Sequence, residues 1–263
     1  MSKYFTVTVI PDLIQGDVSD IIGNQTPSAT DKAFGNTDIL FDWASFDVPK
    51  GACKLESVAC YVMGEDGGNQ NDSDISLIFA KSDANGDAPT SLGAPNAVQT
   101  AGFDMPAHFL GGVKLEGSTD GQGTLVGPAF GQVYTAANSG VNGPTQTSII
   151  LQGEPDSGTN VGFDKLYIAG FAGEAGIDFS TGVKPDAQAT TSTDTISVDG
   201  TDARKCFQVG DTVYTNTDDT PLGTVKSVTA TSIVLNANLA AQVEDNEEIV
   251  NANPIRLILG FSK

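Results

Sequence analysis

The chain alternates apolar and polar residues in short runs, and turn residues break nearly every run. Period-two patterning over four to eight residues is the signal of a strand with one face buried. The clearest block is Phe207–Ile249, where Val213–Tyr214, Leu222–Val225–Val228, Ile233–Leu235 and Ile249 mark four strands. Gly210-Asp211, Asp218-Asp219 and Asn236–Asn238 mark the turns between them. Turns at this spacing predict a small β-barrel or meander.

The earlier part of the chain reads as a set of longer strands. Tyr4–Ile10 (YFTVTVI) alternates and is stopped by Pro11. Asp38–Val48 mixes two parities, which predicts a bulge near Ala44–Ser45 or an edge strand with both faces partly covered. In Ala52–Met63, Cys53 and Leu55 share one parity and Val58, Cys60 and Val62 the other, predicting a second bulge near Glu56–Ser57. Ile75–Ala80 (ISLIFA) is apolar on both faces, as in the middle of a sheet. Weaker strands fall around Ala107–Val113 and Gly123–Val126, and better ones at Val133-Tyr134, Thr147–Gln152 and Lys165–Phe171. Ile255–Phe261 (IRLILGF) is apolar enough to require cover. Residues 11–37 read as a long polar arm and 172–196 as a linker.

This order predicts an all-β chain: a β-sandwich, jelly-roll-like, with a second small β-barrel domain inserted before the last strand. The sandwich takes residues 1–184 plus 253–263, and the barrel takes 185–252. In this reading the KLYIAGF and IRLILGF strands are neighbours in the sandwich, since insertion is tolerated at surface hairpins. The alternative is two domains in series, with IRLILGF closing the barrel.

Composition narrows the function. Of 263 residues, 13 are lysine or arginine and 33 are acidic, a formal charge of −20. Such a chain repels nucleic acid. No window approaches ~18 consecutive apolar residues, so no membrane span is expected, and the N-terminus lacks a signal-peptide pattern. The three cysteines, Cys53, Cys60 and Cys206, have no framework spacing and read as buried free thiols.

Chemistry is sparse. The single histidine, His108, has no nucleophile elbow near it, and no G-x-S-x-G occurs. One histidine and three separated cysteines do not make a zinc site. Gly121-x-Gly123-x-x-x-Gly127 fails dinucleotide spacing. Glu65, Asp66, Asp72 and Asp74 crowd one loop, and Asp83, Asn85 and Asp87 the next, without the EF-hand pattern; they read as solvated loops. The one tryptophan, Trp43, reads as packing rather than a sugar platform. No catalytic, cofactor-binding or metal residue is assigned, and the chain reads as a non-enzyme.

The stretches DWASFDVPKGACKLESVACYVMGEDGG (42–68), DISLIFAKS (74–82) and KLYIAGFAGEAGIDFSTGV (165–183) resemble structural proteins of tailed bacteriophages, especially marine and cyanobacterial ones. The module at 210–249 is similar to small β-barrels that recur in such virion proteins. Together they cover about half the chain. The resemblance implies a virion component made in the host cytoplasm. It points first to a capsid decoration (cement) protein on the capsid surface, binding the major capsid protein and other copies of itself as a homotrimer. It implies no cofactor and no catalytic residue. A tail, baseplate or neck protein, and a host-surface or carbohydrate-binding module, are the alternatives. The arm at 11–37 is the segment expected to reach a neighbouring subunit.

Overall fold

A computed structural model of the chain describes residues 4–13, 34–49, 53–63, 74–83, 86–93, 95–99, 105–115, 123–125, 132–137, 149–151, 165–177, 179, 181–217 and 220–263. Those residues are almost all strand, turn and loop. A four-residue helical turn, Met105–His108, and a 3-10 turn at Ala203–Lys205 are the helical pieces among them.

Ten strands build the sandwich. They are β1 (Tyr4–Val9), β2 (Ile39–Asp47), β3 (Cys53–Val62), β4 (Ile75–Lys81), β5 (Phe109–Leu115), β6 (Gly123–Leu125), β7 (Gln132–Ala137), β8 (Ile149–Leu151), β9 (Lys165–Ala172) and β16 (Ile255–Ser262). One sheet runs β1-β16-β3-β7-β6, with β8 also on β3; the other runs β2-β9-β4-β5. β7 pairs with Ser57–Val62 and β8 with Cys53–Leu55, so the two divide one edge of β3 and fill one position in the sheet. Counted in that way, and with the three-residue β6 left as an extra margin beyond β7, the sheets read 1-8-3-6 and 2-7-4-5. This is the strand order of an eight-position jelly roll, two Greek keys folded face to face. All pairs are antiparallel.

The core lies between the sheets and is rich in phenylalanine. Phe41, Phe79 and Phe261 are fully buried with Leu77, Ile168, Leu257 and Leu259. In β3 the buried residues are Cys53, Leu55, Val58, Cys60 and Val62, which change parity midway. The change is absorbed at Glu56, where the register with β16 slips between Ser57 and Leu55. One extra residue turns the strand by half a pleat, so all five side chains reach one face. β2 carries two irregularities, one at Leu40 and one at Asp42–Trp43, a residue or two before the expected place. The second sets Phe41 opposite Gly170, where a Cβ would lie 2.3 Å from the phenyl ring.

The remaining strands, β10 (Val183–Pro185), β11 (Thr195–Gly200), β12 (Thr212–Thr215), β13 (Gly223–Thr229), β14 (Ser232–Leu235) and β15 (Ile249–Asn251), form one sheet in the order β10-β11-β14-β13-β12-β15. Its end strands come together, which nearly closes a small barrel. Ile196, Phe207, Val213, Val225, Ile233, Leu235 and Val243 fill a core of their own. The four strands expected at Phe207–Ile249 are present. The segment 172–196 is not a plain linker: it holds β10 and the start of β11, because Val183 and Ile196 belong to the barrel core.

The barrel lies in the chain between β9 and β16, and β16 returns to the sandwich. The two strands are not hydrogen-bonded neighbours, as had been expected. β9 is central in one sheet and β16 central in the other. The connection therefore crosses from one sheet to its partner, the ordinary path between the last two strands of a jelly roll. Both ends of the expected arm are held in the core. Leu13 and Phe34 are buried, and Phe34 meets Phe179 edge-to-face at 5.9 Å. Residues 14–33 lie outside the described residues.

Gly170→Ala is expected to lower stability by about 1–3 kcal/mol, because the added methyl must displace the Phe41 ring. Urea denaturation of the variant measures the loss. An unchanged midpoint would show that Phe41 is free to move aside.

Candidate functional site: a buried polar junction

The groups with the most concentrated chemistry sit where the barrel joins the sandwich. The chain leaves the barrel through Asn251-Ala252-Asn253-Pro254, all buried. A turn at this place strips water from several backbone groups, and each needs a partner. The two asparagines supply them. Asn251 Nδ2 donates to the Cys206 carbonyl at 2.6 Å and to Asp211 Oδ2 at 2.8 Å, and its Oδ1 accepts the Asn253 N–H at 2.8 Å. Asn253 Oδ1 accepts the Thr212 N–H at 3.0 Å, and its Nδ2 donates to the Pro11 carbonyl at 3.1 Å. One side chain thus ties a barrel strand to the segment that follows the first sandwich strand. Backbone bonds from Leu13 to Ala252 (3.0 Å) and from Met63 to Pro254 (2.8 Å) fasten the same place.

Asp211 is the centre of the cluster. Its side chain is fully buried, accepts the Gln208 N–H at 2.7 Å, and forms an ion pair with the Arg256 guanidinium. Arg256 lies in β16, so the pair crosses from barrel to sandwich. Burial pushes the Asp211 carboxyl above the usual carboxylate range; the Gln208, Arg256 and Asn251 donors oppose that rise. Arg256 Nε is buried without a hydrogen-bond partner.

The chain enters the barrel beside this exit. The Thr181 hydroxyl donates to the Ile249 carbonyl, and its backbone N–H is accepted by Glu248 Oε1 at 2.9 Å. The two crossings are therefore fastened to each other through β15. Such an arrangement holds two β units at a set angle. It presents no nucleophile–base pair and no open coordination sphere. Its chemistry is that of a rigid joint.

The other singled-out residues lie elsewhere. His108 is buried, with Nδ1 2.8 Å from the Lys81 carbonyl. Trp43 packs with Ile39, Leu92 and Ala169 on the outside of the β2-β9-β4-β5 sheet, and its indole N–H donates to the Thr90 carbonyl at 3.0 Å. The ring is thus half-buried and held by packing on one side. Asp83 accepts the Asp87 N–H at 2.8 Å and closes its own loop. Asp74 pairs with Lys114 at 2.6 Å. Glu65, Asp66, Asp72, Asn85, Gly121 and Gly127 lie outside the described residues. Among the described residues no three His, Cys, Asp or Glu side chains gather as a metal-binding group.

From sequence Asp211 reads as an ordinary turn residue, and Asn251 and Asn253 carry no local signal of burial. The available signal was Arg256, a lone charge inside the apolar run IRLILGF, which demands a buried acid nearby. All three cysteines are buried and none forms a disulfide, and burial pushes the Cys60 thiol well up. Compared with protein-family models and with curated proteins, the chain matches none.

Arg256→Met is expected to cost about 3 kcal/mol at neutral pH, since it leaves a buried carboxylate without its cation. A raised folded-state pKa means that folding takes up a proton, so the stability of the Asp211 site is fully present below the unfolded value and lost as pH rises. The penalty in Arg256→Met therefore shrinks towards pH ~4, and adding Asp211→Asn restores most of it at neutral pH. Urea midpoints of the two variants across that range test this; a penalty independent of pH would show that the pair carries no charge coupling. A second expectation concerns the thiols. An aromatic disulfide reagent at mildly alkaline pH should find no fast-reacting cysteine in the folded chain and all three in denaturant.

Proposed function

We propose that this chain is a non-catalytic building block of a tailed-phage particle, a decoration protein that sits on the capsid surface and clasps the major capsid protein lattice as a homotrimer. The observation that carries the reading is the jelly roll with a barrel set between its seventh and eighth positions and locked there by the Asn251–Asn253–Asp211–Arg256 cluster. Jelly rolls recur in viral capsid proteins, lectins and cupins. Cupin chemistry needs a set of metal-binding histidines, and the chain has one histidine. A lectin-like site needs an open aromatic face, and Trp43 is packed.

The physics suits a cement role. A protein that binds only the assembled shell stabilises it by mass action, by an amount that grows with the logarithm of its free concentration over Kd. A joint fixed before binding leaves less freedom to lose on docking. The charge of −20 keeps the chain away from the packaged genome and soluble before assembly.

The test is binding to expanded capsids of the phage that encodes the chain, assembled without it. Folded chain is expected to sediment with the capsids, saturate at roughly hundreds of copies and raise their disassembly temperature. Saturation at about six to a few dozen copies would move it to the tail or neck. Folded chain left in the supernatant at every concentration would sink the proposal.

A further inference from the structure

Among the described residues, the first strand has a paired neighbour on one side only. β1 pairs with β16 over six unbroken positions, Tyr4↔Ser262 to Val9↔Leu257. On its other side no strand pairs with it among the described residues; β2, in the facing sheet, comes near without pairing. Proteins blunt such edges with lysine, proline, bulges or short length. β1 has none of these: YFTVTV is six residues of β-formers without charge, proline or register slip.

The other described edges are blunted. β2 carries two irregularities, and the segment before Gln99 lies along it through Ile39–Ala97, Asn96–Ile39 and the Asp38–Val98 bridge. β5 has a slip at Leu110. β6, β10 and β15 are three residues each.

The side chains of β1 are half-finished too. Phe5 stacks on Phe261 at 5.1 Å, yet Phe5 and Val7 are only partly buried at the rim of the core. On the outer face Tyr4 is 76 % exposed, with Thr6 and Thr8 beside it in solvent. An added strand must bring apolar residues to the inner face and small polar ones to the outer. It must also be uncharged, because β1 offers no charge to pair with.

We infer that the free edge of β1 pairs with β1 of a second copy of this chain, antiparallel across a two-fold axis, so that two sandwiches share one continuous sheet. An identical strand meets each requirement. It sets Phe5 and Val7 of both copies side by side over the two core rims, and it places threonines opposite or diagonal to one another, a favourable cross-strand arrangement. The acidic character of the chain does not act at this contact, since the strand holds no acid. Self-pairing of a patch with itself is the closed contact of a two-fold dimer, which does not propagate. The contact is separate from the threefold association proposed above and does not rest on it.

The test uses the full chain in sedimentation or light scattering over a wide concentration range. Wild type is expected to double its mass from 27.1 kDa as concentration rises. The variant Thr6→Lys with Thr8→Lys should dissociate at least about tenfold more readily, because like charges then face each other across the axis. Thr6→Glu with Thr8→Glu should do the same, and an equimolar mixture of the two variants should recover the dimer. Both positions changed, Thr6 and Thr8, are on the solvent face, so an unaltered melting temperature confirms that the variants fold. A wild type that stays monomeric throughout overturns the inference. So does a twofold association that the four substitutions leave unchanged.

Discussion

The pairing of β16 with β1 on one side and β3 on the other holds the sandwich together. β16 places Ile255, Leu257, Leu259 and Phe261 in the core, and it joins the first strand of the chain to the third. In the chain the whole barrel precedes it. The jelly roll cannot complete its larger sheet until the chain has crossed that insertion. The cost of closing a long connection grows only slowly with its length. Here the barrel reduces it further, because β10 and β15 lie side by side and deliver the chain close to where it left.

That economy depends on the joint. Asn251, Asn253 and Asp211 are buried polar residues, and a buried polar group is costly unless it is bonded. Each finds partners drawn from both β units, so the bonds are complete only when barrel and sandwich stand in one relation. The ion pair adds to this in a particular way. Burial disfavours the Asp211 carboxylate, and Arg256 is the group that keeps its charge tolerable. A pair of this kind contributes little net stability against an apolar replacement but penalises every misplacement of one partner. Rigidity of this sort suits a protein that acts through contact area, which is how the capsid-surface proposal and the joint fit together.

Some of the architecture was legible in particular residues. The parity change between Leu55 and Val58 placed a bulge where Glu56 carries it, since only a slipped register brings both sets to one face. ISLIFA was legible as a central strand because both of its faces are apolar, and β4 does lie between β9 and β5. The barrel strands β12 to β15 followed from alternation and turn spacing. By contrast β10 and β11 were hidden in a run of threonine, serine and alanine. Their apolar content is two or three residues each, too few for a period to show. The joint was hidden for a different reason: Asp211, Asn251 and Asn253 are the residues expected in exposed turns, and nothing local distinguishes a turn that is buried.

By itself, then, the order of residues determined the all-β class, the positions of most strands and their bulges, and the burial of the three cysteines, because each depends on neighbours a few positions away. Only the tertiary structure decided that β9 and β16 stand in facing sheets, that Trp43 packs against Ile39, Leu92 and Ala169, that Asp211 meets Arg256, and that among the described residues β1 is paired on one side only. Those are pairings between distant segments, and period and composition carry no record of which strand a given strand will meet.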